Sequence, residues 1–584
     1  MLKRWIFLPP AENLEVLGRA IGAGGLVCQV LANRGMVTAE EGKAFLNPGY
    51  KDLHRPEDMP GLTRAAERIV AAVRDGEKIA IYGDYDVDGL TAAALLYQCL
   101  ELAGTKATLY VPHRIEEGYG LHGEALRQLA AEGHKVVVTV DCGVTSVKEA
   151  ALARELGLDL IITDHHEPEA EIPAAYAVVN PKLPGSSYPF RDLAGVGVAF
   201  KLAWAIGLML SGDAEGKKCT PAFQRFLTDA TSLAALGTIA DVVPLVDENR
   251  ALAAMGLKAL SSRRYHHGLE AIVKSARTAD GKVKEHDVGF IIGPRLNAAG
   301  RMGSAHKALR LLTEAGPEEA MAIATELEAE NRRRQDVERE IYNQAVAMVE
   351  RSGGVKNKFS LVLASDQWHA GVIGIVASRL VERYYRPTLL IALEEGQGQG
   401  SGRSIPGFSL FQALTASGGH LKSFGGHDMA AGCRLAGENV AAFAAAFEAH
   451  AKSMLRPEDL VAAVKIDATT EFAALGLTAV RELGRLAPFG QGNPRPVFAV
   501  RDCQLVRPPE RLGKDGSHLA LTLTQGGICL RALYWKQGRL AETLAGAQTL
   551  DIACRPTINK FNGRESVELE LADVHPGGYR EPTS

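Results

Sequence analysis

The sequence predicts a multidomain α/β protein, and three observations support this fold class. The chain has 584 residues, which is too long for a single hydrophobic core. Between residues 78 and 163, short apolar strands alternate with helix-like segments, as in a parallel sheet covered by helices. Beyond residue 456, alternating apolar and polar residues indicate antiparallel strands. We expect a parallel-sheet lobe, a long connecting helix, a second α/β domain and a C-terminal β-barrel of the OB type.

Composition and cysteine usage narrow the class of protein. The net charge is −4, which does not by itself indicate a nucleic-acid partner, although positive charge could still be concentrated in one groove. The eight cysteines are scattered without a CxxC pair, which favours reduced thiols over a zinc knuckle or a disulfide framework. The N-terminal apolar run is too short for a signal peptide, and no stretch approaches the length of a membrane span. We therefore expect a cytoplasmic protein without a membrane partner.

The domain organisation is predicted from changes in pattern along the chain. Residues 317–350 form one long helical pattern, with proline in its first turn and two glycines beyond its end. Its middle is almost entirely charged, so we expect it to cross solvent between two domains. The predicted parts are a helical N-terminal preface at 1–60, the parallel-sheet domain at 61–315, the connecting helix at 316–352, the second α/β domain at 353–455 and the OB domain at 456–584.

Three carboxylates follow the first strand of the predicted parallel sheet. The apolar strand at 79–82 runs into Gly83, and Asp84, Asp86 and Asp88 come next at every second position. Carboxylates this close repel one another unless a cation neutralises them, and hard oxygen ligands suit Mg²⁺ or Mn²⁺. The alternative is an ordinary polar loop between a strand and a helix.

Two further clusters follow neighbouring strands. Asp141 comes directly after the predicted strand at 135–140, and His165 and His166 follow the predicted strand at 158–163. Ligands bind beyond the carboxyl ends of the strands in such sheets, and all three clusters lie at that end. A histidine pair alone is more often a solvated turn, but here it adds imidazole to a set of carboxylates. The combination predicts a two-metal site that can hold Mn²⁺.

A fourth candidate is Asp241, in the segment LAALGTIADVVPL at 233–245. It ends an apolar, helix-like stretch just before Pro244. Alone it would be a helix cap or a turn residue. Together with the other clusters it is a candidate bridging ligand.

The segments GDYDVDG, VDCG, TDHH and GTIADVVPL resemble the four successive motifs of the DHH phosphoesterase superfamily. Members of that superfamily bind two divalent cations and hydrolyse phosphodiester or phosphoanhydride bonds. The resemblance therefore implies a hydrolase with two divalent cations, Mn²⁺ or Mg²⁺, as cofactors. The metal ligands that it implies are Asp86, Asp88, Asp141, His165 and Asp241.

Three neighbouring positions have less fixed roles under this resemblance. Asp84 is either a ligand or an acid just outside the ligands, and His166 either orients the site or contacts phosphate. Many members carry a histidine four residues before the first acid of the DxD pair. Tyr82 stands there in this chain, so the sequence departs from the pattern at the first metal.

A glycine-rich segment, GFIIGPRLNAAGRMG at 289–303, contains Arg295, Asn297 and Arg301. Glycines around arginines suit a close approach of backbone to phosphate, with guanidinium groups as clamps. The alternative is an ordinary surface loop. GPRLNAAGR also resembles a segment of the exonuclease branch of the superfamily, and that resemblance implies substrate binding by these three residues.

The second α/β domain carries another set of candidates. FGGHDMAAGC at 424–433 resembles the signature of the DHH-associated domain, which faces the metal lobe across a cleft. The segments at 368–380 and 399–414 supply a helix start and an arginine-serine strand. By this resemblance, substrate phosphate or sugar would be held by His369, Arg379, Ser401, Arg403, Gly426 and His427. Taken alone, His427 is equally a turn histidine with its own hydrogen bonds.

The C-terminal region has the pattern of a small antiparallel barrel. Predicted strands at 518–524 and 528–535 precede a hairpin whose turn is Asn562-Gly563. OB barrels commonly bind single strands through aromatic stacking and positive charge. Tyr534, Trp535 and Phe561 are candidates for stacking on bases, although such aromatics are more often part of a core.

The resemblance to the exonuclease branch extends over nearly the whole chain. It implies a metal-dependent 5′→3′ exonuclease that degrades single-stranded DNA to mononucleotides in DNA repair and recombination. The partners that it implies are single-stranded DNA, a single-strand binding protein and a helicase, and we expect a monomer. A narrow cleft between the two lobes would exclude a duplex.

Two alternatives remain open at this point. A superfamily hydrolase of short oligonucleotides or small nucleotides should lack the C-terminal barrel and the N-terminal preface. A non-catalytic replication scaffold should have lost several metal ligands, whereas every acidic motif is present here.

Overall fold

The computed structural model describes residues 3–112, 120–212, 218–262, 266–276, 281–302 and 305–579. The chain divides into two compact units. The first unit contains residues 1–47, 340–487 and 495–584, and the second contains residues 48–339 and 488–494. The predicted division into five parts stays a prediction.

The regular elements are numbered in chain order. The strands are β1 Arg4–Phe7, β2 Ile79–Gly83, β3 Thr108–Tyr110, β4 Val136–Val140, β5 Asp159–Thr163, β6 Ala177–Val179, β7 Leu361–Ser365, β8 Thr388–Glu394, β9 Gln397–Arg403, β10 Ser423–Gly426, β11 Ala430–Ala436, β12 Ala463–Ile466, β13 Ala468–Thr469, β14 Phe498–Leu505, β15 Glu510–Leu512, β16 His518–Gln525, β17 Ile528–Tyr534, β18 Leu550–Phe561 and β19 Arg564–Pro576. The helices are α1 Leu14–Ile21, α2 Gly25–Asn33, α3 Ala39–Leu46, α4 Leu62–Asp75, α5 Val87–Leu102, α6 Gly123–Ala131, α7 Val147–Glu155, α8 Gly195–Leu210, α9 Pro221–Ala240, α10 Asp247–Ser262, α11 His267–Ser275, α12 Glu285–Asp287, α13 Gly293–Met302, α14 Ala305–Leu312, α15 Pro317–Arg351, α16 Ala370–Tyr384, α17 Leu410–Ala416, α18 Val440–Met454, α19 Leu477–Leu483 and α20 Ala541–Ala545.

No single helix in the described ranges is both long and apolar enough to cross a membrane, although the bent pair α1 and α2 passes the same test of length and composition when taken together.

The second unit contains the predicted parallel sheet. Its strand order is β3-β2-β4-β5-β6, and every pairing is parallel. All residues of β2 and β4 are buried, which explains their continuous apolar sequences. Helices α5, α8 and α9 pack together in the large core of this unit. The carboxyl ends of β2, β4 and β5 therefore lie side by side at one edge, as the sequence predicts.

Helix α15 confirms the long helical pattern, and most of its charged middle is exposed, with the Arg332 and Arg339 side chains 71% and 69% exposed. It has 35 residues, or roughly 50 Å at about 1.5 Å per residue. Ala320, Ala324 and Leu327 are buried in the core of the second unit. Arg334 is also buried, because its guanidinium donates to Asn331 Oδ1 and Glu338 Oε2 within the helix. Arg334 can therefore be buried because its charge is compensated within the helix, whereas Arg332 and Arg339 remain in solvent.

The second α/β domain, in the first unit, is built on a mixed sheet. Its order is β10-β11-β9-β8-β7, in which only β7 and β8 run parallel. A Cβ added to Gly374 of α16 would lie 2.7 Å from Ser401 Oγ, so this helix packs on the face of β9 that carries Ser401 and Arg403. The other face is apolar, because Gly398, Gly400 and Gly402 leave room for leucine and isoleucine side chains there.

The C-terminal sheet has the closed arrangement expected of an OB barrel. Its order is β13-β14-β18-β19-β17-β16-β15, and an additional pairing between β14 and β16 closes the sheet. The hairpin of β18 and β19 turns at Asn562 (φ 49°) and Gly563 (φ 74°). Two successive positive φ values are typical of the type I′ turn that Asn-Gly favours.

The N-terminal segment begins as a strand, which the sequence did not predict. β1 pairs in parallel with β12, a strand more than 450 residues later, and helices α1–α3 follow. Trp5 of β1 is 1% exposed and its Nε1 donates to Asp573 Oδ2 at 2.9 Å. Four residues carry too short an alternation to reveal a strand whose partner lies at the other end of the chain.

Replacing Trp5 with alanine is expected to destabilise the first unit by about 3–5 kcal/mol, because it leaves a cavity and removes a hydrogen bond from a buried carboxylate. Urea unfolding followed by circular dichroism measures this change. Val16→Ala, at a position 59% exposed in α1, serves as the control and should have little effect. Equal stability of the two variants would show that Trp5 does not anchor the N-terminal strand.

Candidate metal centre

The loop after β2 turns its acidic residues toward one point. Asp86 is the N-cap of α5, and its side chain accepts hydrogen bonds from the backbone N–H groups of Asp88 (2.9 Å) and Gly89 (3.2 Å). A Cβ on Gly89 would lie 2.5 Å from the carbonyl oxygen of Asp84, so only glycine fits at this tight strand-to-helix turn. The loop is thus fixed by its own backbone contacts.

The structure brings together all the ligands that the sequence implies, in three overlapping groups. In each group the candidate ligand atoms lie within 4.8 Å of one another. The groups are Asp84 with Asp86 and Asp141, Asp88 with His165 and Asp241, and Asp141 with His165 and His166. Asp141 and His165 each belong to two groups, so the arrangement is one continuous centre with room for neighbouring cations.

Two buried atoms at the middle of this centre suit a cation. His165 Nε2 and Asp141 Oδ1 lie 3.2 Å apart, and neither has a hydrogen-bond partner among the described residues. His165 Nε2 also lies 3.6 Å from Asp241 Oδ2 and 3.8 Å from Asp88 Oδ2. Buried polar atoms without partners are costly, and a divalent ion bound to them would remove that cost. The mixture of carboxylate and imidazole fits Mn²⁺ well and Mg²⁺ acceptably.

Asp88 is held by the start of α8. The backbone N–H groups of Gly195 and Val196 donate to its Oδ2 (2.7 Å) and Oδ1 (2.9 Å). A Cβ on Gly195 would lie 2.6 Å from Asp141 Oδ1, and one on Gly237 would lie 2.5 Å from Asp88 Oδ1. Gly195, Val196 and Gly237 are not among the residues predicted from the sequence, and for the first two the available signal is the GVG at the start of an apolar helix.

Asp164 orients the histidine pair. Its Oδ1 accepts from the backbone N–H of His165 (2.7 Å), from the backbone N–H of His166 (3.1 Å) and from His166 Nδ1 (2.7 Å). Its Oδ2 accepts from the backbone N–H of Val144 at 2.9 Å. Asp164 is therefore fully used as an acceptor, and it fixes the ring plane of His166.

Crowding of buried acids shifts the pKa values of the centre. Burial and the charge of Asp86 raise the pKa of Asp88 to about 7, and burial with the charge of Asp88 raises the pKa of Asp241 to about 8. Burial, together with the charge of Asp88, also raises the pKa of Asp141. The carboxyl groups thus resist ionisation together, and a bound divalent cation would reverse this preference.

The two histidines shift in opposite directions. Burial and the neighbouring His166 lower the pKa of His165 to about 3, which keeps its imidazole neutral as a metal ligand must be. Burial also opposes the charged form of His166, but the hydrogen bond to Asp164 and the nearby carboxylates outweigh it and raise its pKa to about 9.

Tyr82 has a structural position. It is fully buried, its hydroxyl donates to the carbonyl of Gly120 at 3.0 Å, and its ring stacks on Tyr110 with centroids 5.0 Å apart. The third carboxylate of the first metal group comes from Asp84 instead. Where many members of the superfamily have a histidine, this chain has the structural residue Tyr82, and Asp84, two residues later, lies among the candidate metal ligands.

The glycine-rich segment is helical, so the alternative of an ordinary surface loop does not describe it. A π-helical turn at Val288–Ile292 leads into α13, which carries Arg295, Asn297 and Arg301. Arg295 Nε lies 2.6 Å from Glu328 Oε2 of α15, and its Nη1 donates to the carbonyl of Ile291 at 2.5 Å. This guanidinium joins two helices, which does not fit a phosphate clamp. Asn297 is half-buried, and the side chain of Arg301 lies outside the described residues.

In the first unit, three of the predicted substrate residues belong to or contact the first two turns of α16. His369 is the N-cap of α16, and its Nδ1 accepts from the backbone N–H of Gly371 at 3.1 Å. Ser401 and Arg403 lie against the second turn of that helix, at Gly374. Arg379 is further along α16, and its guanidinium stacks on the Tyr342 ring at 4.1 Å, a packing contact that the sequence did not predict.

Gly426 and His427 form the turn between β10 and β11. Gly426 has φ 126°, and a Cβ there would lie 2.6 Å from the carbonyl of Ala430. The backbone N–H of His427 donates to the same carbonyl at 2.8 Å. His427 is exposed, so its ring is accessible to a ligand.

The OB aromatics divide into one core residue and two exposed ones. Tyr534 is 7% exposed, packs in the barrel core and donates its hydroxyl to the carbonyl of Ala572 at 3.2 Å, so stacking on a base does not fit its position. Trp535 is 50% exposed and Phe561, beside the hairpin turn, is 72% exposed. Tyr534 is the last residue of β17 and packs in the barrel core, whereas Trp535 lies just beyond the end of that strand, where its ring is exposed.

Comparison with known proteins agrees with this division of the chain. Three protein-family profiles match: the DHH family, N-terminal domain, at residues 78–238; the DHHA1 domain at 357–453; and the RecJ OB domain at 466–573. The single-stranded-DNA-specific exonuclease RecJ of Bacillus subtilis is 37% identical over 574 residues, which cover 98% of this chain and 70% of that protein.

Solved structures give the same result. The crystal structure of RecJ from Thermus thermophilus in complex with Mn²⁺ has a TM-score of 0.83 and 33% identity, covering 100% of this chain and 80% of that one. The Mg²⁺ complex from the same organism has a TM-score of 0.77 and 31% identity, covering 100% and 79%. The profiles, the sequence identity and the shared architecture show that this chain belongs to the RecJ family of DHH-domain exonucleases.

Proposed function

We propose that this protein is a metal-dependent exonuclease that degrades single-stranded DNA from the 5′ end and releases mononucleotides, in DNA repair and recombination. The observation that carries the proposal is the buried cluster of carboxylates and imidazoles around Asp141, in a chain that matches RecJ proteins along its full length. The direction of degradation and the biological role are part of the proposal.

The three ligand groups support a proposed role for each side chain of the centre. Asp84, Asp86 and Asp141 would hold one divalent cation, and Asp88, His165 and Asp241 would hold the other. The bridging role of Asp241 stays a prediction. Such a pair of cations polarises the scissile phosphate, lowers the pKa of an attacking water and stabilises the leaving oxygen.

His166 is the proposed phosphate contact at this centre. Its Nδ1 is fixed on Asp164, and its raised pKa keeps the ring positively charged at neutral pH in the metal-free protein.

The first unit supplies the proposed contacts to the DNA strand. Ser401 and Arg403 lie on the face of the sheet that contacts α16, and His369 caps the start of that helix; together they offer donors suited to a phosphate. Gly426 and His427 present an exposed ring beside a bare glycine backbone. For the OB barrel, Trp535 and Phe561 are the proposed stacking residues, because their rings are exposed.

The alternatives are less well supported. A hydrolase of small nucleotides would not need the OB barrel, which is fully formed here. A non-catalytic scaffold would not need the complete set of buried ligands.

Partners and location extend the same proposal. Single-stranded DNA is the proposed substrate, a single-strand binding protein and a helicase are proposed partners, and the protein is proposed to act as a monomer. All eight cysteines are free thiols, which fits the proposed cytoplasmic location.

The substrate is tested with DNA labelled at its 5′ or 3′ end. With Mn²⁺ or Mg²⁺, the 5′ label on a single strand should appear at once as mononucleotide, whereas the 3′ label stays in progressively shorter strands. Blunt duplex should resist degradation, and EDTA should stop all hydrolysis, because the carboxylate centre needs its cations. Early release of the 3′ label would contradict the proposed polarity.

Removing a ligand should abolish catalysis without affecting DNA binding. Asp86→Asn keeps the helix-capping acceptor but removes a charge, and His165→Ala removes the central imidazole. Each is expected to lower kcat more than about 100-fold, since even loss of the partners of ligands costs 10–100-fold. Steady-state hydrolysis and fluorescence anisotropy with a labelled strand measure the two properties.

Glu132→Ala, an exposed acid of the same unit, is the matched control and should behave as wild type. Normal turnover by either ligand variant would refute the assignment of the centre.

Metal binding should strengthen as the pH rises. A cation binds the ionised carboxyl groups, so protons must leave Asp88 (pKa about 7) and Asp241 (pKa about 8) first. The affinity for Mn²⁺ is therefore expected to increase from about pH 6 and to keep increasing as the pH passes the pKa of Asp241. Calorimetric titration in two buffers of different ionisation enthalpy measures both affinity and proton release, and a pH-independent affinity would contradict these shifts.

A further inference from the structure

Asn249 joins two chain segments that border the metal centre. It lies near the start of α10, and its side chain is completely buried. Its Nδ2 donates to the backbone carbonyls of Asp192 (2.6 Å) and Pro244 (3.1 Å). Its Oδ1 accepts from the backbone N–H of Ala194 at 3.3 Å. The carboxamide thus uses both donor hydrogens and one acceptor position, each on backbone rather than on another side chain.

The first of these segments leads directly to the groups that hold Asp88. Ala194 is the N-cap of α8, and the next two backbone N–H groups, of Gly195 and Val196, are the donors to the Asp88 carboxylate. Three consecutive residues at a helix start move as one piece. A shift of Ala194 would therefore displace both donors and, with them, Asp88.

The second segment carries Asp241. The chain leaves α9 at this residue, and Val242 then has φ 62°, a left-handed conformation that β-branched residues rarely adopt. Such strain persists only where the surroundings fix the backbone. The hydrogen bond from Asn249 to Pro244, three residues after Asp241, is one of the contacts that hold this turn.

We propose that Asn249 is a positioning residue that sets the spacing of Asp88 and Asp241, and through it the affinity of the centre for Mn²⁺. These two carboxylates and His165 form one ligand group, with atoms within 4.8 Å. Without the carboxamide, all ligands remain but the two segments are no longer tied together. The inference rests on the metal centre of the proposed function, and not on the identity of its substrate.

The test is a calorimetric titration of full-length Asn249→Ala with MnCl₂, beside the wild type. The weaker of the two binding steps should lose about 10–100-fold in affinity, the usual effect of removing a partner that orients ligands. Hydrolysis should fall at low Mn²⁺ and recover at saturating Mn²⁺, while metal-free binding of single-stranded DNA should not change. A purely structural role would not produce this recovery.

Leu260→Ala is the matched control, because Leu260 is also buried and lies in the same helix, remote from both segments. It should lower the melting temperature and leave the affinity for Mn²⁺ unchanged. Wild-type affinity in Asn249→Ala, or an equal loss of affinity in Leu260→Ala, would overturn the inference.

If Asn249→Ala does not fold, Asn249→Ser keeps a hydroxyl for one of the three hydrogen bonds and is judged by the same criterion. A wild-type protein that binds Mn²⁺ but leaves every DNA strand intact would overturn the proposed function alone.

Discussion

The mutual repulsion of buried carboxylates is the constraint on which the metal-binding unit depends. Asp84, Asp88 and Asp141 are almost completely buried at one sheet edge, and their charges oppose one another. Backbone N–H groups at the start of α8 offset part of this cost at Asp88, and bare glycines leave space where any side chain would collide with a carboxylate. The negative charge that these contacts leave uncompensated is the reason that the centre suits divalent cations.

The metal centre could be predicted from the sequence because most of its candidate ligands lie in short segments that can be recognised one by one. Each ligand cluster directly follows an apolar strand, and parallel strands place their carboxyl ends at one edge. Strand recognition was therefore enough to bring Asp86, Asp141 and His165 together. The role of Asp84 needed coordinates, because only the fold shows that its carboxylate lies within 4.8 Å of the ligand atoms of Asp86 and Asp141.

Residues whose partners are distant in sequence could not be predicted in this way. Arg295 is a residue type that commonly binds phosphate, and glycines surround it in the sequence. In the fold, however, the Glu328 carboxylate of another helix neutralises the charge of its guanidinium. From the sequence, Tyr534 could be an exposed stacking residue or part of the core. Only the closed barrel shows that its hydroxyl donates to the backbone carbonyl of Ala572. The hydrogen bonds of Asn249 are equally invisible, since nothing in a short motif shows which carbonyls a buried amide will reach. The local sequence pattern is enough to predict which ligands follow the strand ends. Contacts between residues distant in sequence decide which polar side chains remain free to bind a ligand.

Pairing between the chain ends also decides how the DNA-binding surface can be studied. β1 is a strand only because β12 pairs with it, and Trp5 depends on Asp573 in the last strand of the barrel. Removing the OB region would therefore unpack the N-terminal segment as well, and a loss of DNA binding would not isolate the barrel. Trp535 and Phe561 are exposed, so substitutions there change the surface without disturbing a core. Substitution of exposed side chains, rather than deletion of a whole domain, is therefore the way to change DNA binding without changing the stability of the fold.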